Sequence, residues 1–74
     1  MNFLVIQKLG SKAKLYREAK YIPEKGNDLA VFGARSVVFS VISPVSKLDI
    51  SLACYSTDFA PESLPELDAI VYVI

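Results

Sequence analysis

Apolar positions along the chain fall into a few short runs separated by turn-forming residues. Within residues 2–9, Phe3, Leu4, Val5 and Ile6 are uninterrupted, as in a buried strand, and Gly10 closes the run. Residues 29–32 and 36–42 are β-branched and aromatic-rich, with Gly33 and Ala34 between them as a bulge or turn. Valine and phenylalanine occupy both alternate sets there, which predicts strands covered on both faces. In residues 48–56, Leu48, Ile50, Leu52 and Cys54 alternate with Asp49, Ser51, Ala53 and Tyr55, the period of a half-exposed strand. Residues 69–74 (AIVYVI) read as a last strand. A strand this apolar must sit centrally or pair across a subunit interface, because an open edge of that kind aggregates.

Residues 11–21 follow another period. Read as a strand, neither alternate set is cleanly apolar. Read as a helix, Leu15, Ala19 and Ile22 align, with Tyr16 beside them, Ser11 as cap and Pro23 as stop. The spacing therefore predicts a helix over residues 11–21, with a hairpin turning at Gly10 and Ser11 as the rival. Residues 23–28 (PEKGND) are turn chemistry. Residues 57–68 contain Pro61 and Pro65 among acidic positions and read as an ordered loop. The expected fold class is α+β: one amphipathic helix packed on a small, mainly antiparallel sheet of four to five strands. An all-β sandwich or barrel follows if residues 11–21 are extended.

Size and composition change what this fold must do. Seventy-four residues make one domain, residues 1–74, and 53% of them are apolar. A body this small cannot hide so much apolar surface, so a protein partner or self-association is expected. The one cysteine, Cys54, excludes an intrachain disulfide, and with no histidine a Cys/His zinc site is excluded within one chain. No cofactor is expected. Residues 1–6 lack a basic region and Gln7 and Lys8 interrupt the apolar run, so no signal peptide is expected. The longest apolar stretch, residues 29–45, contains Arg35 and Pro44 and is slightly short for a membrane span, so none is expected, and a cytoplasmic location fits.

Charge divides the chain. Residues 1–35 hold seven basic side chains against three acidic, net +4, and residues 36–74 hold one against five, net −4. Such a division can steer an anionic ligand or align two copies head to tail. On the predicted helix, Lys14, Arg17, Lys20 and Tyr21 share the face opposite Leu15, Ala19 and Ile22. They are the candidate residues for binding a partner or an anion, since cations beside a tyrosine can grip phosphates and stack on a base.

Catalytic chemistry is not legible. No histidine is present to serve as a base, and the three glycines are isolated, so no phosphate loop is formed. Asp58, Glu62 and Glu66 are spaced by four, but Pro61 and Pro65 deny them a common helical face. Cys54 reads as a small core residue.

Short segments (Lys8-Leu9, Ala13-Lys14-Leu15, Gly26-Asn27-Asp28-Leu29, Asp49-Ile50-Ser51-Leu52-Ala53, Ala60-Pro61-Glu62-Ser63-Leu64) resemble, in order, the opening strands and two motifs of dUTPases. Glu62 stands where that family's second motif has an arginine, and the motif's glycine is missing. The resemblance implies at most an inactive barrel fragment, and no family is assigned from it. The expected function is a non-enzymatic protein–protein interaction module, working as a homo-oligomer or as a small accessory or inhibitory subunit. The alternative is binding of nucleic acid or another polyanion through the basic residues.

Overall fold

The structure is a computed structural model, described for residues 1–8, 12–57 and 59–74. Among the described residues, five strands and one helix run in the order β1 (Phe3–Gln7), β2 (Ala13–Tyr16), β3 (Asp28–Val31), β4 (Ala34–Ile42), α1 (Lys47–Tyr55) and β5 (Ala69–Val73), with a 3-10 turn at Pro61–Ser63. They form one sheet in the order β2-β1-β5-β4-β3. Three of the four pairings are antiparallel, and β1 with β5 is parallel. The fold class is the expected α+β, with one helix on a mixed sheet that curls into a half-barrel.

The two apolar sets of β1 part to opposite faces. Phe3 and Val5 join Val31, Val38, Ala69, Val71 and Val73 on the concave side. Leu4 and Ile6 join Ile70, Leu67 and Ala53 beneath the helix. A strand with a core on each face can carry no polar position, which is why residues 3–6 and 69–73 read as continuous apolar runs. The last strand is central, the first of the two positions its composition allows. Among the described residues, every buried side-chain nitrogen and oxygen has a hydrogen-bond partner.

Helix and strand exchange places relative to the sequence expectation. Of the segment expected as a helix, residues 12–21 are not helical: Ala13–Tyr16 is the edge strand β2, paired antiparallel with β1 (Leu4 opposite Leu15, Val5 opposite Lys14). Leu15 packs on the helix side and Tyr16 on the concave side, its ring stacked 4.7 Å from that of Phe3. Long-range pairing with β1 outweighs the local helix propensity, and Glu18, at φ +54°, stops any helix immediately afterwards. Gly10 and Ser11, the expected turn and cap, lie outside the described residues.

Residues 48–56, expected as a strand, are instead helix α1 up to Tyr55, with Ser56 as its C-cap. Ser46 caps it: its hydroxyl accepts from the Asp49 N–H (3.1 Å), and the Asp49 carboxylate accepts from the Ser46 N–H (2.9 Å) and hydroxyl (2.8 Å). This reciprocal box satisfies the first orphan donors of the helix. At helical spacing it is Ala53, from the set expected to be polar, that is buried, while Leu48 and Leu52 turn outward.

The β3–β4 hairpin turns on Phe32 and Gly33, both at positive φ (+56° and +76°), the two-residue geometry whose twist matches the strands. A bulge between Val38 and Ser40 sends Phe39 to the outer face beside Tyr72.

The cap carries a testable consequence. Ser46→Ala is expected to cost about 1 kcal/mol in urea denaturation, with an unchanged m-value. The bonds from Ser46 hold the Asp49 carboxyl below its ordinary value, so their stabilisation is present above the unfolded aspartate pKa and is lost as pH falls through the folded one. Asp49→Asn is accordingly expected to reduce the loss of stability between neutral pH and pH about 3.

Candidate binding surface

The sheet does not close. Its two edge strands, β2 and β3, face each other across a seam over the concave core, and Lys14 and Lys20, two of the basic residues singled out from sequence, border it. Lys14 projects from β2 with its Nζ 5.2 Å from the centre of the Tyr16 ring. Together with Ala30–Arg35 it lines a hollow of about 320 Å³, so Lys14 and Arg35 are cations bordering one space. Arg35 also pairs with Asp28 (3.3 Å), both side chains being largely exposed, so the pair is weak.

Lys20 and Tyr21 line a second groove of about 260 Å³, floored by Phe3, Tyr16 and Leu29. They are placed by Asn2 and the amino terminus. The Asn2 Oδ1 accepts from the Glu18 N–H (3.1 Å), the Ala19 N–H donates to the Met1 carbonyl (2.7 Å), and the terminal ammonium donates to the Ala19 carbonyl (2.8 Å). The same Asn2 donates its N–H to the Asp68 carboxylate (2.8 Å) and its amide to the Glu66 carbonyl (3.1 Å). One side chain thus ties the bend after β2 to the segment before β5. Of the four residues expected on a single helical face, Lys20 and Tyr21 share the groove, Lys14 borders the neighbouring hollow, and Arg17 is exposed and lines neither.

The second surface was not anticipated. Leu48, Leu52 and Tyr55 lie on one stripe of α1 and point to solvent, Tyr55 almost fully. Their spacing of four and three is that of one helical face. A helix normally turns such a face inward; this one turns in Ala53. The signal available in the sequence was the Ser46-x-x-Asp49 box, which marks a helix start and converts the alternating set into an outward stripe.

Other chemistry-bearing groups are separate. On the outer face the Lys8 Nζ lies 4.8 Å from the centre of the Phe39 ring, and Phe39 is 6.1 Å from Tyr72. Burial, and then the Asp49 charge, raise the Tyr72 phenol above its ordinary value. Among the described residues no group of three or more acidic or cysteine side chains is placed to hold a metal ion, and Asp58 of the acidic series lies outside them. Among the described residues no helix is long and apolar enough to cross a membrane.

No protein-family model, no curated protein and no solved structure matches the chain, so the short dUTPase-like segments gain no support.

Cys54 is half-buried rather than a full core residue, and desolvation, followed by the nearby Glu62 charge, raises its thiol pKa. The thiolate is the reactive form. Alkylation by iodoacetamide at neutral pH is therefore expected to run slower than for free cysteine and to accelerate on raising the pH, as followed by mass spectrometry.

Proposed function

We propose that the chain is a non-enzymatic protein–protein interaction module, acting as a homo-oligomer or as a small accessory or inhibitory subunit. The outward stripe of Leu48, Leu52 and Tyr55 carries this reading. Fully burying a large apolar side chain contributes about 1.5–3 kcal/mol, so covering the three of them is a substantial driving force for association. A stripe three side chains long falls short of the roughly 800 Å² per partner of a standard interface. Association through it alone is therefore weak, and the rim of the contact must supply the rest. The absence of histidine and the raised Cys54 pKa also favour a binding role over nucleophilic catalysis.

A second reading, binding of nucleic acid or another polyanion, draws on the cations along the seam, Lys14, Lys20 and Arg35. Zero net charge overall weighs against it as the main role.

Sedimentation equilibrium across a wide concentration range is expected to give a mass that rises above that of one chain. The Leu48→Ser/Leu52→Ser variant is expected to stay monomeric while remaining folded, since both positions are exposed. A single-chain mass at millimolar concentration, with nothing co-purifying that the variant fails to retain, rejects the reading.

A further inference from the structure

The free edge of β2 offers a second, chemically distinct docking site. In an antiparallel pair, successive residues turn their backbone groups alternately toward and away from the partner strand. The Gln7 N–H donates to the Lys12 carbonyl (3.0 Å), and the register continues through Val5 with Lys14 and Phe3 with Tyr16. Lys12, Lys14 and Tyr16 therefore spend their backbone groups on β1, and Ala13 and Leu15 turn theirs outward. Among the described residues nothing bonds to those outward groups. Two N–H donors and two carbonyl acceptors stand in a row on the edge.

Side chains at this edge define what can pair with it. Lys14 and Tyr16 lean over the concave side, where the hollow shared with Ala30–Arg35 and the groove bearing Lys20 and Tyr21 lie. Lys14 and Arg35 border the hollow and Lys20 the groove, and Asp28 at the β3 edge is already engaged by Arg35. An added strand alternates its side chains between two faces, so one set meets these cations and the aromatic floor of Phe3 and Tyr16.

The chain's own acidic segment does not fit this role in a second copy. Its Pro61–Ser63 portion is a 3-10 turn, and Leu64 and Leu67 are packed under the sheet.

We propose that the free edge of β2 binds an extended acidic segment of another protein, which adds to the sheet as a sixth strand over the seam. This goes beyond the interaction-module reading, because it uses a surface apart from the α1 stripe and names the chemistry of the partner. Main-chain bonds to Ala13 and Leu15 hold the segment, and carboxylates opposite Lys14 and Lys20 select it.

The test uses the full isotope-labelled chain and a twelve-residue peptide alternating glutamate and threonine, titrated at low salt and followed by amide chemical shifts. Expected are shifts centred on residues 13–16 and 30–35, and an affinity that falls at least about tenfold at 0.3 M salt. The Lys14→Glu/Lys20→Glu variant, shown to be folded by its spectrum, is expected to bind at least about tenfold more weakly. The Leu48→Ser/Leu52→Ser variant is expected to bind as the parent does, which separates this proposal from the helix-stripe reading. No shifts at millimolar peptide overturn the proposal. So does equal binding of a lysine–threonine peptide, or equal binding of a peptide N-methylated along one edge. Tighter binding of a single-stranded oligonucleotide at the same residues also overturns it, in favour of the polyanion reading.

Discussion

The parallel pairing of β1 with β5 is the constraint on which everything else rests. Phe3 lies opposite Ala69 and Gln7 opposite Val73, so two segments far apart in sequence meet in the centre of the sheet. Each is covered on both faces, and most of the fully buried large side chains (Leu4, Val5, Ile70, Val71 and Val73) belong to this pair. The two antiparallel arms, β2 on one side and β4–β3 on the other, are built outward from it. Contacts of such sequence separation cost loop-closure entropy before they stabilise anything, so the fold depends on strong apolar burial at this one place.

That centre also explains why two surfaces are left open. Five strands curl around the concave cluster without closing, and the two edges that remain face each other across the seam. The opposite face is covered by a nine-residue helix that contributes Ala53 and little else to the core. A helix that spends its small residue on packing has Leu48, Leu52 and Tyr55 left for solvent. The excess of apolar residues in the composition is thus partly resolved: much of it fills two clusters, one on each face of the sheet, and part of the remainder lies in a stripe on α1.

Much of the fold was legible where burial alone dictates the pattern. The apolar runs at residues 3–6 and 69–74 read as strands, the second as central or paired across an interface, and both are central; the turn expected at Gly33 and Ala34 falls one residue earlier, at Phe32 and Gly33. The exchange of helix and strand was not legible from periodicity. Residues 11–21 have the spacing and composition of a helix, yet Leu15 and Tyr16 are drawn to opposite faces by the register with β1, which no local pattern contains. Residues 48–56 alternate like a strand only because Leu48 and Leu52 are apolar and exposed. The Ser46–Asp49 box was the contrary sign. The basic residues expected on one helical face are instead spread over a sheet edge and its neighbouring bend: Lys14 borders the hollow with Arg35, Lys20 lines the groove, and Arg17 lies apart from both.

Native-state amide hydrogen exchange tests the central role of the β1–β5 pair most directly. The amides of Leu4, Val5, Ile70 and Val71 should exchange slowest and only through global unfolding, while those of β2 and α1 exchange through smaller openings. If β5 opened before α1, or if β1 exchanged as readily as the β2 edge, the fold would not be organised around this pairing.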